Sequence, residues 1–326
     1  MQSLSVHQSS GAGVRVAPAQ AKGRRREIHA GDRFFAWALR VPAVGLAVLL
    51  LAIAFFLYRA AAPALHKLGW SFVYSSVWDP VQDIFGALPV VYGTVVSSFI
   101  AIIIATPLSI GVALFLTEIA PRRVGRVVGF LIEMLAAIPS VVYGLWGIFV
   151  LAPWLRTTVE PGLKTALGFL PFFQGPAYGV GMMAAGIILA IMITPTISSI
   201  SREIFSAIPQ PQREAALGLG ATRWEMMRLA VLRSSKRGIA GAVILGLGRA
   251  LGETMAVTMV IGNRHEISAS FFAPSTTMAS IIANEYSEAT SDIHIAALVE
   301  VGLLLFAVTF IINSLARLFV SRSGNR

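Results

Sequence analysis

The chain has 326 residues, 56% of them hydrophobic and only 13% charged, with a mean hydropathy of +0.74. A soluble domain of this size carries about 25% charged residues, so a water-soluble fold is excluded and an all-α, polytopic membrane protein is expected. Cysteine is absent, which removes disulfides, thiolate metal sites and thiol nucleophiles, and the histidines have no close ligand spacing, so no metal centre is expected.

Residues 1–35 are small, polar and basic with no apolar period, and read as a disordered cytoplasmic tail ahead of a membrane domain over 36–326. A helix needs about 20 apolar residues to cross the hydrocarbon. Six stretches qualify, giving six expected transmembrane helices at about 41–58, 88–116, 127–151, 178–200, 239–262 and 295–316. The first is followed by RAAAPA, as in a signal peptide, but it is longer than a usual signal core and Arg59 interrupts the cleavage region. It is expected to stay as an uncleaved helix.

The net charge of +10 raises the question of nucleic acid, but its distribution argues against that. With the N-terminus inside, 20 of the 26 Lys and Arg fall in the tail, the second and fourth connections and the C-terminus. Five lie outside and Arg249 is left in the membrane. This is the positive-inside pattern, with both termini cytoplasmic in an inner membrane. The segments 63–87, 152–177 and 263–294 are then expected outside. The chain contains no GxxxxGK[ST], GxSxG or HExxH, so it carries none of the usual signatures for binding or hydrolysing a nucleotide, ester or peptide. A subunit of an ATP-driven machine would therefore need a partner to bind ATP, with no cofactor in this chain.

Glu133 falls inside the third stretch. Between the fourth and fifth lies a long basic loop, 201–238, in which Pro209 and Pro211 end one element and permit another. Glu214, Ala215 and Ala216 follow, then Gly220. A small-residue face suits a helix that must sit closely in a cleft of another protein. An acidic turn and a terminal glycine suit ordinary helix capping equally well.

The fifth stretch contains GLGRALGETMAV. Arg249 and Glu253 are four residues apart and, on one continuous helix, would share a face. A charge at mid-bilayer costs at least about 2.5–3.5 kcal/mol on insertion scales. Two readings stand: a structural ion pair, or a guanidinium facing a translocation pathway where its planar fork suits an oxyanion. Glu133 and Glu300, the latter in the sixth stretch, are further pathway candidates and possible partners for Arg249. Gly246, Gly248 and Gly252 reduce bulk nearby and permit close helix packing.

EAALGLG, with Leu232 downstream, resembles the EAA loop of ABC-importer permeases, although Ala230 and Arg233 stand where that consensus has isoleucine and proline. Four longer stretches, WDPVQDIFGALPVVYGTVVSSFIAIIIATPLSIGVALFLTE, IPSVVYGLWGIFVLAP, GLGRALGETMAV and HIAALVEVGLLLFAVTFIIN, resemble phosphate importer permeases of the PstC type, from about Phe72 to the C-terminus. The resemblance implies a type I importer (MetI-like) core. It also implies that Glu214, Ala215, Ala216 and Gly220 form the coupling helix that docks on the ATPase. The implied partners are a PstA-type sister permease, a dimer of ATP-binding subunits and an extracytoplasmic phosphate-binding protein. A phosphate-sensing signalling complex is compatible with the same role. Permeases for sulfate or molybdate, and a secondary anion transporter, are the alternatives. The long loop and the absence of a visible inverted repeat argue against the last.

Overall fold

A computed structural model describes the backbone over residues 30–323; the sequence-expected tail, 1–35, lies outside these residues up to position 29. The chain divides into two units, Met1–Ala52 and Ile53–Arg326, and every site considered below lies in the second. Among the described residues the structure is helical, with extended pairing confined to the isolated bridges Asp79–Ile84 and Gly262–Ser275.

Helix α1 (Ala30–Leu68) begins earlier than expected, so positions 30–35 are helical rather than part of a disordered tail. Within the first unit, Phe34, Trp37, Leu46 and Leu51 are exposed, as lipid-facing side chains are. In the second unit Ala64 is buried in one cluster with Phe72 of the short α2 (Ser71–Tyr74) and with Phe85.

Helix α3 (Leu88–Leu114) continues as a π-helical turn over Phe115–Ile119. The third stretch departs from the sequence expectation. α4 (Arg122–Ala137) ends at Pro139, and the span runs over 140–167 instead of 127–151. The cause is local: a residue before proline is pushed out of the α region, and Ile138 has φ −68° and ψ 128°. The span consists of α5 (Ser140–Trp146), α6 (Ala152–Trp154) and α7 (Glu160–Leu167), joined by π-helical turns.

Helix α8 (Met182–Ser206) is the most buried of the candidate spans. It packs along α3 through small residues: Ala101 and Ala105 on one side, Ala184, Ala185 and Gly186 on the other. A Cβ on Gly186 would lie 2.5 Å from Ile100, so this contact requires glycine. Small residues replace a hydrophobic driving force that lipid does not provide. The loop that follows carries α9 (Gln210–Gly218) and α10 (Arg223–Met226). A π-helical segment, Met227–Leu232, then leads without interruption into α11 (Arg233–Leu251).

α12 (Met255–Val260), α13 (Met278–Glu285) and α14 (Asp292–Ser323) complete the chain. Five helices among the described residues are long and apolar enough to cross a membrane. The remaining hydrophobic stretch, 239–262, is divided between α11 and α12 and is compatible with a sixth passage.

Candidate functional site

The division of the fifth stretch overturns one expectation directly. Arg249 and Glu253 do not share a face of one helix, because α11 ends at Leu251 and Gly252 and Thr254 separate it from α12. No ion pair joins them among the described residues. Glu253 instead turns to the start of α12, where its Oε1 accepts from the Ala256 N–H at 3.4 Å. An acceptor there satisfies one of the amides that a helix start leaves unpaired. Arg249 ends the first half-helix with its side chain exposed.

A second broken helix meets this break. The chain restarts after Pro139 as α5, and a Cβ on Gly144 of α5 would lie 2.5 Å from Met259 Sδ and 3.2 Å from Ala256 Cα. Gly144 therefore lets α5 and α12 touch. Beside it in α5, Tyr143 is buried, donates to the Leu135 carbonyl at 2.7 Å and lies within the electrostatic reach of Arg249. Helices interrupted at depth are tolerated where they are buried in protein or line a cavity. Two of the stretches that carried the resemblance, IPSVVYGLW and GRALGETMAV, are thus neighbours in space.

Neither of the other expected pathway acids forms an ion pair with Arg249 among the described residues. Glu133 is paired with Arg202 of α8 at 2.9 Å, a partner the sequence reading did not name. Glu300 is 5% exposed within α14, its Oε2 has no hydrogen-bond partner, and no cation pairs with it among the described residues.

The loop element forms as expected. Glu214, Ala215 and Ala216 lie on α9, which Pro209 and Pro211 delimit at its start. Glu214, Ala215 and Leu219 are exposed, while Ala216 packs against the cluster of Phe205, Met226 and Met227. Gly220 has a local explanation. Its φ is +84°, its N–H reaches the Leu217 carbonyl at 3.0 Å, and the Ala221 N–H reaches Ala216 at 3.2 Å. This is a Schellman ending with glycine at its left-handed position. The next helix opens on a capping box in which Glu225 accepts from the Thr222 N–H and hydroxyl, both at 2.8 Å. Those bonds, from the amide first, hold the Glu225 carboxyl below its ordinary value.

Sequence reasoning missed the group that fixes α9 to the membrane helices. Arg213 meets Glu118, at the end of the α3 extension, at 2.9 Å and also donates to the Phe205 and Ile208 carbonyls. It also missed a cluster at the start of the last span, α14. The Glu285 carboxylate receives the Trp78 indole N–H at 2.9 Å, meets His294 Nε2 at 3.0 Å and lies 3.4 Å from His265 Nε2. Burial lowers the His265 pKa, and the Glu285 charge opposes that shift.

Comparison with known proteins decides the family. Residues 105–324 match the model described as "Binding-protein-dependent transport system inner membrane component". The chain belongs to this family. It is therefore a membrane component of a multi-part ABC transport system. It is similar to the "Phosphate transport system permease protein PstC" of Mesorhizobium japonicum, with 48% identity over 299 residues, covering 90% of this chain and 91% of that protein. The protein of the same description from Haemophilus influenzae is 46% identical, over 84% of this chain and 88% of its own.

Solved structures agree in fold. The inner membrane component superposes on a chain of the inward-facing MetNI methionine ABC transporter with a TM-score of 0.56 at 17% identity, covering 76% of this chain and 99% of that one. A chain of a bacterial ABC transporter that imports alginate gives 0.58 at 17% identity, over 89% and 96%. The type I importer core is thereby established as the architecture.

Proposed function

We propose that this chain is the membrane-spanning permease of an ATP-driven importer of inorganic phosphate, forming the pathway with a PstA-type sister permease. ATP is bound and hydrolysed by a dimer of partner subunits, and a phosphate-binding protein delivers the anion from outside. Both termini and the 201–238 loop face the cytoplasm. The chain itself holds no cofactor and catalyses no reaction.

The observation that carries this reading is that one bundle presents both ends of a coupled transporter. An exposed α9, fixed by Arg213 to Glu118, offers a docking surface, and a broken membrane helix exposes Arg249. Movement of the ATPase against Glu214–Gly220 passes through the Arg213–Glu118 link to the end of α3. The coupling works only if the ATPase binds one state of the bundle better than the other. In the pathway, the Arg249 guanidinium gives phosphate two parallel donors. Phosphate near neutral pH keeps at least one proton and can donate it to Glu253, which sulfate cannot do; sulfate meets that carboxylate only as a like charge. The likeness to phosphate permeases supports the same substrate.

The test is reconstitution of the four components in liposomes, with radiolabelled phosphate outside and ATP inside. ATP-dependent uptake, inhibited by unlabelled phosphate but not by sulfate or molybdate, is expected. Stronger competition by sulfate or molybdate would assign the chain to another oxyanion, and uptake without ATP would make it a secondary transporter.

A further inference from the structure

One face of the continuous helix from α10 to α11 changes character along its length. Near its start, Arg228, Arg233 and Lys236 surround an open crevice of ≈ 460 Å³ floored by Leu229 and Leu232. All three cations are exposed, and none forms an ion pair among the described residues. The crevice has one acid, Glu225, whose carboxylate is already held by Thr222. Lys236 also borders a second crevice, of ≈ 400 Å³, that continues along the same face. Here the walls are apolar: Ile239, Val243 and Ile244 of α11 against Ala316 and Val320 of α14. Arg317 stands beside its lower end with Ile244 and Val320.

We propose that this groove binds one anionic glycerophospholipid of the inner leaflet, with its phosphate among Arg228, Arg233 and Lys236 and an acyl chain between α11 and α14. The dimensions agree. At 1.5 Å per residue, Lys236 to Ile244 covers about 12 Å, close to the roughly 15 Å that one leaflet contributes to a hydrocarbon core about 30 Å thick. The cations sit where the chain turns from the polar loop to the apolar helix, the level of the lipid phosphates. Basic pockets between membrane helices on the cytoplasmic side suit such headgroups, and the apolar residues Leu229 and Leu232 among them suit the glycerol end of an acyl chain. A free phosphate ion satisfies the cations but leaves the α11–α14 groove unfilled.

Because α11 carries both this groove and the Arg249 break, a bound lipid also wedges α11 against α14 below the pathway. The inference needs a bilayer-embedded chain but not any particular substrate, so it is tested by lipid retention instead of uptake. The assembled complex is titrated with phosphatidylglycerol and phosphatidylcholine and studied by native mass spectrometry. One phosphatidylglycerol should be retained on this chain with about tenfold preference over phosphatidylcholine. Arg228→Gln with Arg233→Gln and Lys236→Gln should abolish the preference. Val243→Trp, which fills the groove and keeps the charge, should reduce retention of both lipids while thermal stability stays near that of the parent. Unchanged preference in the triple variant would overturn the proposal. So would displacement of phosphatidylglycerol by inorganic phosphate, or lipid binding by the isolated chain that vanishes in the complex, which would make the face a subunit contact.

Discussion

The Glu118 carboxylate and the Arg213 guanidinium meet at 2.9 Å, with only 7% and 14% of their side chains exposed. They stand 95 positions apart in the chain, and their contact ties α9 to the end of the α3 extension. The two partners are not equivalent. Removing Arg213 strands a buried carboxylate, leaves the Ile208 carbonyl without the guanidinium donor, and takes one donor from the Phe205 carbonyl, which also accepts the Ile208 N–H. Glu118→Gln keeps an acceptor and leaves both carbonyl bonds in place. Arg213→Met is therefore expected to cost about 3–5 kcal/mol, as broken buried pairs do, and Glu118→Gln about 1–2 kcal/mol. Denaturant unfolding in detergent measures both. Equal losses would show that the carbonyl bonds contribute nothing.

On α9, stability and the proposed docking can be tested apart. Gly220 lies at φ +84°, and a methyl group added to its Cα would point into open space. Gly220→Ala therefore meets no clash and costs only backbone strain, about 1–2 kcal/mol. Ala215 is exposed on α9, so Ala215→Trp leaves the chain stable but blocks a close-fitting cleft. In the reconstituted complex, Ala215→Trp should lose phosphate-stimulated ATP hydrolysis while Gly220→Ala retains most of it. Full activity in Ala215→Trp would remove the docking role from this face.

How much of this is legible in the sequence follows the range of the interactions. The apolar runs, the loop helix at Glu214 and the outline of the core depend on local composition and spacing, and they are present. The proline at 139 is visible, but the hydropathy of 127–151 bridges it, so a reading by hydropathy starts the third span too early. The break at Gly252 is hidden because GLGRALGETMAV is apolar enough for an uninterrupted helix. The partners of Glu133 and Arg213 and the gathering of Trp78, His265 and His294 around Glu285 depend on contacts between distant segments. No spacing rule announces them, although Glu118 at the end of an apolar run and Arg213 beside the EAA motif are each conspicuous alone.

The Glu285 cluster predicts an acid-sensitive fold. His265 meets Glu285 from α13, with His294 of α14 and the stacked Trp78 ring completing its surroundings. Its pKa is lowered below 6.5 in the folded state, so the unfolded chain takes up the proton first as pH falls. The stabilisation is full above pH 6.5 and is lost as pH drops from there through the lowered folded value. Thermal unfolding should show a steeper fall between about pH 7.5 and 5.5 for the parent than for His265→Asn. Parallel profiles would mean that His265 does not titrate between the two states.

The broken helix gives Arg249 and Glu253 separable roles. Glu253 caps the start of α12, and glutamine offers the same carbonyl-type acceptor, so Glu253→Gln should fold and assemble. Among the described residues no carboxylate pairs with Arg249, which is exposed at the break. Its removal therefore leaves no uncompensated partner, and Arg249→Met should insert and assemble as the parent does. A structural ion pair predicts the reverse, with Arg249→Met unstable and rescued by adding Glu253→Gln, because neutral pairs are cheaper in an apolar setting. If the guanidinium meets the anion, both Arg249→Met and the double variant should lose uptake by at least about tenfold. Arg249→Lys should fall between, since an ammonium keeps the charge but not the planar fork. Glu253→Gln alone should admit sulfate as a better competitor, because an amide can donate where a carboxylate repels. Uptake of radiolabelled phosphate, normalised to assembled complex in the membrane, reads all four variants. Near-normal uptake by the double variant would return the GRALGE segment to a purely structural role.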